Sequence, residues 1–274
     1  YTYSENNMLI SKVIYEDEVN DHVRIKYPGF ELRDIVEYYF EITTESNLIT
    51  PFSIVALPNV NIVASVNLTD KSQTLKVDRK LGIKDTTGDK LYGSLSDAMT
   101  IIHAPGTHEF AIKFKPGVLY PFLKDDIPCL LDSYKPLSNY INNTIIEELK
   151  SKKTFDERVS YAENYLLSNI DIFKSDYKLE TVIKAVYYIT HCGDFKSNMV
   201  SKKVGVSTPT LNRYFKEVLG MSPKQCFRTM RFKIALMNYR SKGSSNSYDE
   251  LGYTDFSHFA KESQCLTNKK PSEL

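Results

Sequence analysis

Hydrophobic and polar positions along the chain follow two periods, and the change from one to the other divides it. In residues 1 to about 133, β-branched and aromatic residues recur at strand spacing: Tyr38-Tyr39-Phe40-Glu41-Ile42, Ile54-Val55-Ala56-Leu57, Ile62-Val63-Ala64-Ser65-Val66 and the alternating Phe110-Ala111-Ile112-Lys113-Phe114. Pro28-Gly29, Pro58-Asn59, Thr87-Gly88, Pro105-Gly106 and Pro116-Gly117 punctuate these runs as turns. Short strands so divided predict a β-barrel-like or bent sheet. From about Leu137 the period becomes helical. Leu137, Tyr140, Ile141, Ile145 and Leu149 share one helix face, and Val159 to Phe173 predicts a second amphipathic helix.

The last hundred residues are helical throughout. Leu179, Val182, Ile183, Val186, Tyr187 and Ile189 mark one helix; a short one is predicted from about Ser197 to Val204, broken at Gly205-Val206-Ser207. Thr208 is read as the cap of the next helix, with Pro209 in its first turn, where a missing N–H costs nothing. On that helix Leu211, Phe215, Val218 and Leu219 face one way, and Pro209, Asn212, Arg213 and Lys216 the other. A long helix opens at Ser222-Pro223, and after a loop at Gly243-Ser244-Ser245 a short helix around Ser247 to Leu251 and another from about Phe256 repeat the plan. Helix, turn, helix, twice over, is an arrangement that sets a recognition helix in a DNA major groove. The expected fold class is therefore α+β. An N-terminal β-barrel-like or bent-sheet domain with attached helices spans residues 1–175, and an all-α domain with two helix-turn-helix units spans residues 176–274, joined near Phe173 to Asp176.

Charge sharpens that division. The 274 residues carry a formal net charge of only +1. From Asp176 onward, however, there are 16 Lys+Arg against 9 Asp+Glu, and before it 19 against 25. Between Lys196 and Arg240 ten basic residues face one acidic residue, Glu217. Such an excess on a helix-turn-helix segment suits phosphate contact with counterion release, with Lys202, Lys203, Lys216, Arg228 and Arg231 as candidate phosphate ligands. Four scattered cysteines, with no CxxC pair, argue against a disulfide framework or a structural zinc site. No apolar run is long enough to span a bilayer, and the chain reads as cytoplasmic.

Val204-Gly205-Val206-Ser207, Leu211 to Phe215, Leu219-Gly220-Met221-Ser222-Pro223-Lys224, Leu251-Gly252-Tyr253-Thr254-Asp255, Ser257-His258-Phe259 and Pro271-Ser272-Glu273 follow one another at a characteristic spacing. In that order they resemble the DNA-binding domain of the AraC/XylS family of bacterial transcription regulators. The resemblance implies a sequence-specific DNA-binding transcription regulator whose base-facing positions fall on Pro209, Asn212 and Arg213 of the first recognition helix, and on Phe256, Ser257 and Lys261 of the second. Ser263 stands where the family usually buries an aromatic residue, and Asn268 where it commonly has glycine. With the near-neutral charge of residues 241–274, this predicts a looser second unit and a first unit that supplies more of the readout.

In the N-terminal half, Leu57-Pro58-Asn59 and Ile112-Lys113-Phe114-Lys115-Pro116-Gly117 resemble one branch of the same family, which implies a domain for sensing or self-association. Tyr38, Tyr39, Tyr92 and Tyr120 are the candidate lining of an effector pocket. His103, His108 and Glu109 lack the cupin-like spacing for a metal. No GxSxG elbow, phosphate loop or HExxH occurs, so no enzyme, metal or cofactor is expected. Double-stranded DNA is the expected partner. A small-molecule effector, RNA polymerase and a second copy of the chain are left open. The alternative reading is a ligand-binding or enzymatic β domain with a helical protein-interaction tail.

Overall fold

The computed structural model describes residues 22–47, 52–69, 71, 73–77, 82–174, 176–192, 196–243 and 251–274. Among the described residues, ten strands form two antiparallel sheets. The larger joins β1 (Val23–Lys26), β2 (Val36–Thr43), β9 (His108–Phe114), β4 (Val63–Asn67), β7 (Lys90–Tyr92) and β10 (Tyr134–Pro136) in that order; the smaller joins β3 (Phe52–Ala56), β8 (Met99–His103), β5 (Gln73–Val77) and β6 (Gly82–Thr86). The sheets are bent and face each other without closing into a barrel.

Strand β2 is buried on both faces, and its alternation shows why. Tyr39 packs with Ala64, Val66, Phe110 and Phe114 against helices, while Tyr38, Phe40 and Ile42 join Ile54 of the smaller sheet. The layers are thus small sheet, large sheet, helices. The covering helices are α3 (Asn143–Ser151) and α4 (Phe155–Ser168). Their starts are set by side chains: Asn142 accepts the Thr144 N–H, and Thr154 with Glu157 forms a capping box. Those caps move the predicted boundaries. Leu137 belongs to a separate 3-10 turn before α3, and α4 begins four residues ahead of Val159. Arg158 reaches back from α4 to Glu41 of β2 at 2.7 Å, a buried pair that ties helix to sheet.

Between the sheets lies a polar core. Ser65 and Gln73 donate to the buried Glu109 carboxylate, Tyr92 Oη donates to Gln73 Oε1 at 3.1 Å, and Lys90 Nζ donates to the Gly88 carbonyl at 2.8 Å. Burial lowers the pKa of both Lys90 and His103, and the Glu109 carboxylate opposes the shift in each case. Ser65, Gln73, Tyr92 and Lys90 thus each meet a partner within this core, as buried polar groups generally do.

Two short helices that the periodicity does not predict, α1 (Tyr120–Leu123) and α2 (Ile127–Leu130), follow β9 and carry the C-terminal half. That half contains α5 (Tyr177–Cys192), α6 (Ser197–Lys203), α7 (Thr208–Leu219), α8 (Pro223–Lys242) and α9 (Phe256–Thr267). The short helix expected around Ser247 to Leu251 falls largely outside the described residues. Docking is close enough to require glycine twice. A Cβ on Gly117 would sit 2.9 Å from Val218 Cγ1, and one on Gly220 would sit 2.8 Å from the Ile127 carbonyl oxygen; both glycines hold positive φ.

The connecting helix α8 sends Lys233 into the joint, beside Lys113 and Glu37 of the large sheet and Cys226 of its own helix. Lys113 already pairs with Glu37 at 3.5 Å and donates to Tyr38 Oη at 3.1 Å. Desolvation, helped by Lys113, pushes the Lys233 pKa down to about 7, against the opposing pull of Glu37. From pH 7 to about 10, the folded chain leaves this amine neutral while the unfolded chain protonates it. The unfolded state binds more protons there, so stability rises with pH across that window. Lys233→Met should raise the melting temperature most at pH 7, by roughly 2–4 °C per kcal/mol recovered, and the gain should shrink toward pH 10. Melting curves at several pH values check this; a gain independent of pH would contradict the assignment.

Candidate nucleic-acid interface

The first helix-turn-helix is built by its caps. Ser207, rather than the expected Thr208, is the N-cap of α7 and accepts the Thr210 N–H at 3.2 Å. Pro209 sits in the first turn, and Gly220 closes the helix in the left-handed conformation. The apolar stripe Leu211, Phe215, Val218 and Leu219 is buried against α5, Val200 and Phe227. That orientation leaves Pro209, Arg213 and Lys216 exposed on the outer face, with Lys202 and Lys203 exposed in the last turn of α6 beside them.

Two of the predicted base readers are engaged locally. Asn212 Nδ2 donates to the Thr208 carbonyl at 2.9 Å on its own helix. The Arg213 guanidinium lies 5.4 Å from the Tyr214 ring centroid, and its Nε is 4.0 Å from Glu217 Oε1. Its side chain is still 63% exposed, so it can swing outward at small cost. Glu217 is also held from behind by Lys178 at 2.7 Å. That hydrogen bond raises the Lys178 pKa.

The second unit is organised around a buried charge. Glu262 of α9, only 7% exposed, accepts from Arg228 Nε at 3.1 Å, from Arg231 Nη2 at 2.6 Å and from Tyr253 Oη. Arg231 also lies 4.3 Å over the Tyr253 ring. Both arginines expected on phosphates are thus engaged by Glu262 and pin α9 to α8, with 38% of the Arg228 side chain and 19% of the Arg231 side chain still exposed. The partner that claims them, Glu262, stands more than thirty residues away, and helical spacing alone does not mark it.

The departures in this unit are accommodated. Ser263 is fully buried, and its hydroxyl donates to the Lys269 carbonyl at 2.8 Å. Asn268 takes the left-handed C-cap conformation at φ 59°, which asparagine tolerates better than most residues. On α9, Ser257 and Lys261 are exposed, as are His258 and Gln264. Phe256 is not free to face a groove: its ring stacks on Tyr239 with centroids 5.5 Å apart.

The four tyrosines do not converge. Tyr39 stacks on Phe110 in the helix-facing core, Tyr38 lies on the opposite face of the same strand, and Tyr120 packs where the two halves meet. Of the four, Tyr92 alone lines the cavity of about 60 Å³ between the sheets. A second cavity, about 110 Å³, lies at the joint between the halves, lined by Asp34, Glu37, Asn61, Lys115, Met230 and Lys233 among others. Among the described residues no group of His, Cys, Asp and Glu is placed to hold a metal, and no helix is long and apolar enough to cross a membrane.

A family model described as a helix-turn-helix domain matches residues 200–274. Residues 200–274 belong to a helix-turn-helix domain family. A second model, a domain of unknown function (DUF6597), matches residues 26–158. No curated protein matches the chain. Among solved structures, the chain is similar to apo ToxT from Vibrio cholerae at 11% identity and TM-score 0.48, covering 86% of this chain and 96% of that one. A structure of ToxT with unsaturated fatty acid bound matches at 10% identity and TM-score 0.46, covering 93% and 95%. The AraC-like transcriptional activator CuxR matches at 16% identity and TM-score 0.32, covering 81% and 88%.

Exposure makes Arg213 the residue of the first recognition helix best able to reach a base edge. On sites that the protein selects from random duplex DNA, Arg213→Ala should lower affinity by about 1–3 kcal/mol and relax specificity at one position. Repeating the selection with the variant measures both. Equal loss at every sequence would make Arg213 a phosphate contact instead.

Proposed function

We propose that the chain is an AraC-like DNA-binding transcription regulator that reads DNA chiefly through its first helix-turn-helix unit, with base contacts from Arg213, Asn212 and Pro209 and phosphate contacts from Lys202, Lys203 and Lys216. The observation that carries this reading is the distribution of exposed cations. They gather on α6, α7 and the start of α8, at Lys202, Lys203, Arg213, Lys216 and Lys224. Toward the second unit, Arg228 and Arg231 of α8 are engaged by Glu262. Ser257 and Lys261 contribute the weaker second half of the readout, and Phe256 acts by packing against Tyr239 rather than by touching a base. Neutralising phosphates releases counterions, so affinity should fall linearly with salt on logarithmic axes. Replacing both Lys202 and Lys203 with alanine should flatten that slope by roughly 2, close to one unit for each phosphate that is no longer neutralised. An unchanged slope in a salt titration would remove both lysines from the interface.

Regulation by a small molecule fits best at the cavity of about 110 Å³ between the halves, because a ligand there touches the N-terminal domain and the connecting helix together. That volume is somewhat below the roughly 150 Å³ that holds benzene, so the effector is small. Lys115 and Lys233 offer it donors, while Asp34, Glu37 and the Asn61 amide oxygen offer acceptors, the Asn61 Nδ2 being spent on Glu37 and the Phe114 carbonyl. A thermal-shift screen of small organic acids and amines tests this: a true effector at 100 times its Kd adds about 2.7 kcal/mol of stability, and that gain should vanish in Asn61→Leu. A gain that survives Asn61→Leu would place the effector elsewhere.

A further inference from the structure

One loop of the N-terminal domain touches both helix-turn-helix units. Val60 is buried in the apolar cluster of the first unit, with Leu179, Leu211, Phe215, Phe227 and Met230. Leu57, three residues earlier, is buried in the cluster of the second unit, with Phe232, Leu236, Tyr253, Phe259 and Leu266. Three residues of chain span at most about 11 Å, so the loop fastens the two cores at a short, set interval. The loop is itself held rigid. Asn59 and Leu95 exchange two backbone hydrogen bonds, at 2.9 and 2.8 Å. The Asn59 side chain donates to the Leu57 carbonyl at 2.9 Å and accepts the Asn61 N–H at 3.0 Å. From the same side, the Ala98 N–H donates to the Leu266 carbonyl at the end of α9, at 2.8 Å.

We infer that the loop Leu57-Pro58-Asn59-Val60 sets the spacing and orientation of the two recognition helices on DNA. This rests on the DNA-binding reading above and adds to it a positioning role for residues that touch no DNA. The physical need is clear from the charge distribution. The second unit has few exposed cations, so it gains affinity mainly by being delivered to its groove at the right place, where effective concentration replaces intrinsic contact strength. Two recognition helices on one face of B-DNA must sit about one helical turn, 34 Å, apart. A joint that flexes around α8 would spread the second helix over several registers and dilute that advantage. The loop removes this freedom before DNA is met, and the ordering cost is borne in folding rather than binding.

The test uses bipartite duplexes that the full-length protein selects from random DNA, rebuilt with the interval between half-sites lengthened or shortened by 1, 2 or 3 base pairs. Wild-type protein should prefer one interval and lose about tenfold or more in affinity when it changes by 2 base pairs. Leu57→Ala should flatten this preference to about threefold or less while affinity for the isolated first half-site stays within about twofold. Leu57→Met, close in volume, should restore the preference. Asn59→Ala loosens the loop without entering either core and should flatten it as well, which keeps the test open if Leu57→Ala melts early. A preference as sharp in Asn59→Ala and Leu57→Ala as in wild type would overturn the inference. So would a matching loss at the first half-site, which would mark general destabilisation. Wild-type protein that selects no duplex at all would instead remove the DNA-binding reading on which the inference stands.

Discussion

The close docking of the C-terminal helices on the N-terminal domain is the constraint on which the remaining features depend. It is close in a literal sense, since no Cβ fits at Gly117 or Gly220. Around those points α1 and α2 lie against α7, and the loop from Leu57 to Val60 feeds side chains into two separate helical cores. The apolar surface buried there is what makes a slender pair of helix-turn-helix units rigid. A recognition helix reads bases only when its backbone is held from behind, and here the support comes from a β domain as well as from the connecting helix.

Docking also redistributes charge. In the sequence, the segment from Lys196 to Arg240 is an almost unbroken cationic run. In the fold it divides into exposed cations on α6, α7 and the start of α8, two half-buried arginines, Arg228 and Arg231, that bind Glu262, and the buried Lys233. The last three are stabilised by different means. Glu262 neutralises the two arginines through direct hydrogen bonds, whereas Lys233 lowers its own charge cost by holding its pKa near 7. The second unit thereby acquires a polar core, in which Tyr253, Glu262, Arg231 and Ser263 occupy positions that apolar side chains could also have filled. Such a core ties α8 to α9 and commits Arg228 and Arg231 to Glu262.

Features governed by neighbours in the chain were legible from the residues alone. The strand runs around Tyr38 to Ile42 and Phe110 to Phe114, the stripe Leu211, Phe215, Val218 and Leu219, the Ser222-Pro223 helix start and the outward face at Pro209, Arg213 and Lys216 all follow from period and capping. Small errors had local causes as well. Ser207 took the capping role assigned to Thr208, and Thr154 with Glu157 started α4 early, because a cap is decided by which hydroxyl meets the third N–H and not by composition. The tyrosine pocket failed for a different reason. Adjacent residues on a strand point to opposite faces, so Tyr38 and Tyr39 were bound to separate once the strand was buried on both sides.

By itself the sequence determined two halves of opposite charge, a β-rich half and a half with paired helical units, and it placed the first recognition helix with its exposed cations, because these depend on spacing along one chain segment. Only the tertiary structure decided which cations stay exposed, which tyrosines meet, and that one β-domain loop joins both helical cores. Those outcomes depend on Glu262 finding Arg228, on Glu37 and Lys113 surrounding Lys233, and on Leu57 meeting Phe259. Burial and counter-ions supplied from distant parts of the chain set them, and no local pattern records such encounters.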